Sequence, residues 1–327
     1  MIQGHGDDTH LYAQVRANFS SNIFAGADMS PLKDFLKRHI DTIDNYPEPD
    51  AQSLAMAIAR QRAIDPACVL VTSGATEAIY LVAQALSHAG YRRFHVKHPT
   101  FSEYADASLL VNMHPAEQPA EGCVSWVCNP NNPTGSVMPT ACLPTEGVLV
   151  VDQSYEDFTL EPLMSPQEAI ARRNVWQIHS LTKTYAVPGL RIGYVVSSQQ
   201  NIDLLRRFTR PWAVNALAIA GGRWLVGHDA RAVDHVEELL AEAQRLRREL
   251  NSIDGITVFP TQTNFMLARI EHCTAAELKD YLARKHRLLI RDASNFGGLD
   301  SHYFRISTQR PTENDLLLQA VRAFAKR

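Results

Sequence analysis

The sequence predicts an α/β protein with an open, largely parallel sheet in a large lobe and a smaller α+β lobe. Three observations support this fold class. Short apolar runs alternate with helical patterns from Val69 to Val196, a long charged amphipathic helix follows Gly227, and 327 residues are enough for two cores.

Six short apolar runs predict the strands of the large lobe. In chain order they are Val69–Val71, Phe94–Val96, Val124–Cys128, Val148–Val151, Val175–Ile178 and Ile192–Val196. Apolar runs separated by helical periodicity are typical of strands in an open α/β sheet. Ligands bind such sheets at the carboxyl ends of the strands, so the polar residues after each run are the site candidates.

The chain after Gly227 predicts a compact α+β lobe that begins with an amphipathic helix over about residues 231–250. The elements expected after it are strands at Ile256–Phe259 and Asn264–Ile270, a helix near Ala275–His286, strands at Leu288–Arg291 and Tyr303–Ser307, and a helix from about Thr312. The first 45 residues have no clean period and are expected to form an arm packed on this lobe. The predicted division is an arm at 1–45, a large domain at 46–229 and a small domain at 230–327.

Composition and charge argue against nucleic-acid and membrane proteins. The net charge is −3 with both signs interspersed, which predicts no binding to nucleic acid or to an anionic membrane. No run approaches the roughly 20 apolar residues of a membrane span, and the start lacks the pattern of a signal peptide, so a cytoplasmic location is predicted. Five cysteines without Cys-x-x-Cys spacing indicate no disulfide framework and no zinc site, and no metal is expected.

Lys183 is the leading catalytic candidate. It lies in SLTKTYAVPGLRIGY, residues 180–194, in a short polar turn between two apolar runs. A lysine in a partly dry site has its ammonium form disfavoured and becomes nucleophilic toward an aldehyde. Ser180 and Arg191 in the same segment are suited to a phosphate, and phosphate plus aldehyde indicates pyridoxal phosphate. For this motif alone, a solvated lysine beside a structural arginine is the alternative.

A second phosphate-binding element is predicted in TSGATEA, residues 72–78. A glycine turn here joins a strand directly to an apolar-periodic helix, whose first N–H groups can bind an anion. Gly74, Ala75 and Thr76 are the candidates. A glycine at a strand-to-helix junction can also serve packing alone.

Asp152 and Tyr155 follow the fourth strand in VLVVDQSYEDF. A carboxylate at this strand end can keep a pyridine nitrogen protonated, which makes the ring an electron sink. Tyr155 can donate to the 3-oxygen of the same ring. The alternatives are an aspartate that forms a turn or binds a metal, and a core tyrosine.

Two further strand ends offer contacts to the ring. In NPNNPTG, two Asn-Pro steps force extended backbone, and such a rigid turn can aim the amide of Asn132 at the 3-oxygen. In HPTFSEY, Phe101 or Tyr104 can stack on a flat ring, although core packing would explain either residue.

Together these motifs resemble the class I/II aminotransferase superfamily of pyridoxal-phosphate enzymes. TSGATE, HPTFSEY, NPNNPTG, VVDQSY, SLTK and PGLRIGY occur in the order typical of that family. The resemblance implies the type I fold of pyridoxal-phosphate transferases, with a mostly parallel seven-stranded sheet in the cofactor-binding domain at 46–229. It also implies an imine between Lys183 and the cofactor.

The resemblance further implies a role for each of the other candidates. Asp152 would pair with the pyridine nitrogen, and Asn132 and Tyr155 would contact the 3-oxygen. Phosphate would be held by Gly74, Ala75, Thr76, Ser180 and Arg191, with Tyr104 stacking on the ring. Tyr46, in YPEPD, would reach the cofactor phosphate of a neighbouring subunit, which implies a homodimer with sites at the subunit interface.

Arg291 and Arg305 lie on apolar runs near the chain end, where a buried cation needs an anionic partner. A substrate with two anionic groups is therefore expected. By resemblance, Arg305 would bind an α-carboxylate, and Arg291 with Asn295 a substrate phosphate; a surface ion pair is the alternative for Arg291. In the arm, Asn22 of NFSSN is another substrate candidate, and His5 could touch substrate unless the terminus is disordered.

Within the superfamily, the chain resembles most closely the branch of threonine-phosphate decarboxylases and histidinol-phosphate aminotransferases. Similar segments are YPEPD, PWAVNALA (residues 211–218) and GLDSHYFRI. The resemblance implies decarboxylation of L-threonine O-3-phosphate to aminopropanol phosphate, as in cobalamin biosynthesis. Transamination of histidinol phosphate or another amino acid is the alternative.

Two other classes of function are disfavoured. A pyridoxal-phosphate effector module of a transcription factor would need a DNA-binding segment, and no room for one is expected before Tyr46. A nicotinamide-dependent dehydrogenase would need a G-x-G-x-x-G turn after a strand, which is not found.

Overall fold

The computed structural model describes residues 6–12 and 14–326. Within them the strands are β1 Ala17–Asn18, β2 Val69–Thr72, β3 Arg93–Val96, β4 His114–Pro115, β5 Cys123–Cys128, β6 Val148–Asp152, β7 Val175–Ser180, β8 Gly193–Val196, β9 Ile256–Val258, β10 Phe265–Ile270, β11 Leu288–Leu289, β12 Arg291–Asp292 and β13 Tyr303–Ser307. The helices are α1 Ser30–Arg38, α2 Gln52–Arg62, α3 Ala75–His88, α4 Glu103–Leu110, α5 Pro166–Ala171, α6 Leu181–Thr184, α7 Gln199–Arg206, α8 Ala216–His228, α9 Val236–Asn251, α10 Ala275–Tyr281 and α11 Pro311–Ala325.

The large sheet has seven strands in the order β2-β8-β7-β6-β5-β3-β4. Its neighbours run parallel except at β8, which is antiparallel to both β2 and β7. The predicted α/β class with a mostly parallel seven-stranded sheet is confirmed, and all six predicted strands are present. The sequence pattern missed β4, because an exposed two-residue edge strand that contains a proline has no apolar run.

Helices on both faces of this sheet explain why its strands are rich in apolar residues and lack a strict alternation of apolar and polar residues. All five residues of β6 and all six of β7 are buried. On one face, Ile79 and Val82 of α3 share a hydrophobic core with Ile178 of β7 and Val195 of β8. On the other, Leu54 and Ile58 of α2 pack on β2 and β8. Two-sided burial removes the polar alternation of a half-exposed strand.

The smaller lobe has an antiparallel sheet in the order β12-β13-β10-β9, covered by α9 and α11. The predicted strand at Leu288–Arg291 is wrong as one element. Its first half, β11, pairs with β1 in a separate sheet, and its second half, β12, pairs with β13. Before β11 the predicted helix at Ala275–His286 turns π-helical after Tyr281 and ends at Arg287, whose φ is 60°.

Two further expectations differ from the structure. The long helix begins at Val236 rather than near residue 231. The predicted arm contributes to both cores, because Ala17 and Phe19 pack in the small lobe whereas Leu32 of α1 packs with α2 and α8. Backbone bonds from Phe19 N–H to the Leu289 carbonyl (2.7 Å) and from Ser307 N–H to the Phe19 carbonyl (2.8 Å) place residues 20–23 over the large sheet's carboxyl edge.

Candidate active site

A cavity of about 260 Å³ lies where the arm, the large sheet and the small lobe meet. Ten of the predicted site residues line it: Ala75, Thr76, Tyr104, Asn132, Asp152, Tyr155, Ser180, Lys183, Arg191 and Arg305. A larger cavity of about 640 Å³, between α1, the end of α8 and the start of α9, contains none of them. Chemistry rather than size therefore identifies the site, and the smaller cavity is the candidate.

Lys183 lies on α6, a single helical turn rather than the irregular polar turn expected from the sequence. Its Nζ donates a hydrogen bond to the Ser21 carbonyl at 2.8 Å. Burial, and then the positive charge of Arg305, lower the pKa of this amine from 10.5 to about 7. A large fraction of it is therefore neutral near pH 7 and can attack an aldehyde.

The N-terminus of α3 and Arg191 form a site for an anion on one side of this amine. Gly74 precedes α3 with φ of 89°, and a Cβ there would lie 2.5 Å from Arg191 Nη2. Ala75 and Thr76 line the cavity, and the N–H groups of this first turn have no partners within the helix. Ser180 Oγ lies 2.6 Å from Thr182 Oγ1 and adds a hydroxyl.

Asp152, the last residue of β6, provides a buried carboxylate at the cavity floor. One oxygen accepts from the Tyr104 hydroxyl at 2.8 Å, and the other accepts from Ser154 N–H at 2.9 Å. Burial raises the pKa of Asp152, while these hydrogen bonds oppose the rise. Tyr104 also stacks on Trp126, with ring centroids 5.5 Å apart, and Phe101 meets it edge-on from the cavity side.

Tyr155 and Asn132 line the same cavity as Asp152. The Tyr155 ring packs on Phe265, with centroids 4.7 Å apart, and Lys183 Nζ is 5.9 Å from its centre. Burial raises the pKa of Tyr155 to about 12, so its hydroxyl keeps its proton and can donate. Asn132 accepts a hydrogen bond from Arg305, which fixes the orientation of its amide.

The two predicted substrate arginines are both buried and close to the cavity. Arg305 is 4% exposed; it donates to Asn132 and to the Ser20 carbonyl, and its Nε has no partner among the described residues. Burial lowers the pKa of Arg305 to about 10. Arg291 is 6% exposed and donates to Asn295 Oδ1 at 2.7 Å.

A side cavity of about 40 Å³ lies between the two arginines. Arg291, Asn295 and Arg305 line it together with Gly6 and Phe101. Because Arg305, Gly6 and Phe101 also line the main cavity, the two spaces adjoin. The alternative of a surface ion pair at Arg291 does not describe this buried position. The arrangement suits a small molecule with two anionic groups.

Three predicted residues do not line either cavity. Gly74 directly precedes the first turn of α3. Asn22 is fully buried with φ of 55°; its amide makes no regular hydrogen bond to a described residue, but it lies close enough to the Tyr155 hydroxyl to lower the pKa of that group. Tyr46 is 81% exposed and packs on Trp212, so the cavity of its own chain does not contain it. His5 lies outside the described residues.

The sequence does not predict the contacts that the backbone of the arm makes with the site. The carbonyls of Ser20 and Ser21 accept from Arg305 and Lys183, and Gly6 approaches so closely that a Cβ would lie 2.7 Å from the Ser20 carbonyl. A backbone carbonyl leaves no pattern in the sequence, so Gly6 alone could have indicated these contacts. Cys128 also lines the cavity, although the sequence pattern indicates only a strand residue at this position.

Two kinds of feature are absent from the residues that the structure describes. No group of His, Cys, Asp and Glu side chains there is arranged to hold a metal ion. None of the helices in the same part of the chain combines the length and apolar character that crossing a bilayer requires.

Known proteins match this chain over most of its length. The family described as aminotransferase class I and II matches residues 112–321. The threonine-phosphate decarboxylase of Salmonella typhimurium is 30% identical over 93% of this chain and 90% of its own length. A histidinol-phosphate aminotransferase of Caldanaerobacter subterraneus subsp. tengcongensis is 28% identical over 86% of this chain and 84% of its own.

A solved structure gives the same result for the fold. L-threonine-O-3-phosphate decarboxylase from Porphyromonas gingivalis superimposes with a TM-score of 0.90 and 35% sequence identity. The match covers 95% of this chain and all of the other. Similarity at this level extends through the arm and both lobes.

Proposed function

This chain belongs to the class I and II aminotransferase family and is a pyridoxal-phosphate enzyme, and we propose that it decarboxylates L-threonine O-3-phosphate. The observation that carries the proposal is the pair of buried guanidinium groups, Arg291 and Arg305, beside a buried amine of lowered pKa. Threonine phosphate has a carboxylate, a phosphate and an α-amine. Its carboxylate and its phosphate would each pair with one guanidinium group, and its α-amine would replace the Lys183 amine at the aldehyde carbon of the cofactor.

The cavity residues fit the cofactor. The first turn of α3, Ser180 and Arg191 would hold its phosphate, Lys183 would attach to its aldehyde, and Asp152 would pair with its ring nitrogen. The Arg305 Nε that lacks a partner fits the same interpretation, since a buried donor needs an acceptor that the described residues do not provide. Bound pyridoxal phosphate supplies an electron-accepting ring that stabilises the charge left at Cα when a bond there breaks.

The chain's own residues would then select the bond that breaks. Arg305 binds the α-carboxylate and sets the angle of the bond between Cα and the carboxylate carbon, while Arg291 and Asn295 hold the phosphate. Loss of CO2 breaks that bond, and Lys183 Nζ delivers the proton that takes its place at Cα. The products are CO2 and aminopropanol phosphate.

Transamination is the second candidate, favoured by the similarity to a histidinol-phosphate aminotransferase. Lys183 Nζ, with a pKa of about 7, can take the proton from Cα as well as deliver one. The same anion-binding residues would serve either reaction. The two reactions differ in their need for a keto acid.

The experiment supplies the purified holoenzyme with L-threonine O-3-phosphate labelled at the carboxyl carbon and measures released CO2, with and without 2-oxoglutarate. We expect CO2 release that does not depend on the keto acid. Transfer of the amine from histidinol phosphate to 2-oxoglutarate, with no CO2 from threonine phosphate, would replace decarboxylation by transamination. Activity in neither assay would contradict both.

A matched pair of variants tests the substrate arginines within the same assay. Arg291→Gln is expected to raise KM for threonine phosphate about 100-fold, because a charge-assisted phosphate contact is lost. Arg269→Gln removes the same charge from β10 at a partly exposed position and is the control. Equal effects of the two substitutions would contradict the role of Arg291.

We also propose a homodimer in which Tyr46 of each chain reaches the cofactor phosphate of the other. Its support is the exposure of Tyr46 on this chain together with the family's expected use of this residue. The cytoplasmic location expected from the sequence stays a prediction.

A further inference from the structure

Helix α6, which carries Lys183, depends on its surroundings for its position. Its four residues are too few for a helix that is stable on its own. The bond from Tyr185 N–H to the Leu181 carbonyl, 3.1 Å, closes the turn but does not orient it against the sheet. Contacts with the rest of the protein must therefore determine where Lys183 lies; Leu181 packs in a hydrophobic core, and polar contacts hold the two ends of the segment.

Asp157 holds the carboxyl end of this segment. Thr184 Oγ1 donates to Asp157 Oδ2 at 2.6 Å, and the other carboxylate oxygen accepts from Arg231 Nη1 at 2.7 Å. The Asp157 side chain is 13% exposed, so water competes little for these bonds. Because Thr184 follows Lys183 directly, this contact fixes the backbone beside the amine.

Glu156 holds the amino end of the same segment. One of its oxygens accepts from His179 Nδ1 at 3.0 Å and from the guanidinium of Arg62. His179 is the penultimate residue of β7, four positions before Lys183, and its buried ring stacks on Tyr194 with centroids 4.6 Å apart. The glutamate therefore fixes the strand end from which α6 begins.

The two carboxylates connect this segment to the other side of the site. Glu156 and Asp157 directly follow Tyr155, on the stretch that begins with Asp152. Neither carboxylate lines the main cavity, and neither do His179 and Thr184, as far as the described residues define it. The two carboxylates contact the sequence neighbours of cavity residues: His179 directly precedes Ser180, and Thr184 directly follows Lys183.

We propose that Glu156 and Asp157 are positioning residues that hold Lys183 Nζ in place, Glu156 through His179 and Asp157 through Thr184. The inference rests on the proposed role of Lys183 as the residue that attaches the cofactor. A role in folding alone is the competing explanation, and it makes a different prediction for the amine. Stability would then change while the chemistry of Lys183 did not.

Two shape-conserving variants each remove one of these hydrogen bonds. Thr184→Val deletes the hydroxyl that Asp157 accepts from, and His179→Phe keeps the ring stacked on Tyr194 but deletes the donor to Glu156. Thr184→Ser restores the hydroxyl and is the rescue variant. Tyr185→Phe, on the next residue, removes only a hydroxyl 3.4 Å from Gln61 Nε2 and is the matched control.

The measurement is the pH dependence of covalent attachment when pyridoxal phosphate is added to cofactor-free protein, trapped with borohydride and located at Lys183 by mass spectrometry. In Thr184→Val and His179→Phe we expect the midpoint of the pH dependence of attachment to rise by about half a pH unit or more. A displaced amine is better solvated, which raises its pKa. The attachment rate at pH 7 should fall about tenfold, while Thr184→Ser and Tyr185→Phe stay within about twofold of wild type. Melting temperatures are recorded for each variant.

Several results would overturn the inference. Unchanged midpoints in both variants, whatever their melting temperatures, would leave a folding role only. A Thr184→Ser variant as impaired as Thr184→Val would show that the hydroxyl is not the cause. If the wild-type protein attached no cofactor at Lys183, the proposed function and this inference would both be wrong. If the wild-type protein attached the cofactor there and the variants behaved like wild type, only this inference would be wrong.

Discussion

At the scale of single residues, the chemistry depends on how the fold changes the amine of Lys183. Burial is the largest cause of its lowered pKa, and the charges of Arg305 and Arg191 act in the same direction. Asp7 and Asp152 oppose them. The sequence motif predicts the identity of the lysine, but the size of this shift arises from a burial and a set of neighbours that only the assembled lobes create.

The lowered pKa predicts a pH dependence for cofactor attachment. The neutral amine is the reactive form, so the rate in cofactor-free protein should rise with pH through a midpoint near 7 rather than near 10.5. Removing the neighbouring cation in Arg305→Gln should move this midpoint upward, because a like charge no longer disfavours the ammonium form. The measurement is the borohydride-trapped product at Lys183 as a function of pH.

A midpoint near 10 in wild type would contradict the burial of the amine. A midpoint that stayed near 7 in Arg305→Gln would remove Arg305 as a cause and leave burial and Arg191 to explain the lowered pKa.

At the scale of elements, the sequence predicts best what is buried on two sides. The strands β5, β6 and β7 are buried along almost their whole length because helices cover both faces of the sheet, and β6 and β7 end at the predicted site residues Asp152 and Ser180. Where local pattern fails, a tertiary contact decides. The run at 288–291 looks like one strand, yet the arm pairs with its first half and β13 with its second.

The junction of β2 and α3 gives a prediction that belongs to this scale. Gly74→Ala would force an L side chain to a φ of 89° and place a Cβ 2.5 Å from Arg191 Nη2. We expect the affinity for pyridoxal phosphate to fall at least about tenfold, because the helix N-terminus and the guanidinium can no longer converge on one phosphate. Titration of cofactor-free protein with pyridoxal phosphate, followed by absorbance, measures this.

Gly189→Ala is the matched control for that substitution. Gly189 lies in the turn before Arg191, and a Cβ there meets no atom within 4 Å. Its affinity should equal that of wild type. Equal losses of affinity in the two variants would show that any methyl group added near this phosphate site weakens binding. The specific role of Gly74 would then be contradicted.

At the scale of the whole molecule, the site is assembled from three parts of the chain that are far apart in sequence. The arm supplies the carbonyls of Ser20 and Ser21, helix α6 of the large lobe supplies Lys183, and the small lobe supplies Arg305. The motifs predicted most of the large-sheet residues, because each follows a recognisable strand. Contacts between the parts could not be predicted, since no local pattern records which backbone carbonyl a distant arginine meets.

Tyr46 shows where a single chain stops explaining the site. It is the most exposed of the large hydrophobic side chains described, and Ile43 and Trp212 nearby are exposed as well. An apolar surface of this kind is typical of a contact with another protein. If two copies pair there, each site contains Lys183 of one chain and Tyr46 of the other.

This arrangement predicts complementation between two impaired variants. Lys183→Ala removes the amine, and Tyr46→Ala removes the proposed phosphate contact, so each homodimer should have low activity. In a mixed dimer, the intact Lys183 of one chain and the intact Tyr46 of the other meet in the same site. Co-expressing the two variants with different affinity tags and purifying through both tags should therefore recover about half of the wild-type activity per dimer, as two-fold symmetry requires.

The opposite result is equally specific. If Tyr46 serves its own chain, the mixed dimer has one site without the amine and one without the tyrosine, and its activity per dimer is about half that of the Tyr46→Ala homodimer. A doubly tagged species that does not form would remove the homodimer itself. Because each chain carries only one of the two substitutions, recovery cannot come from either homodimer and must arise from a site that both chains build.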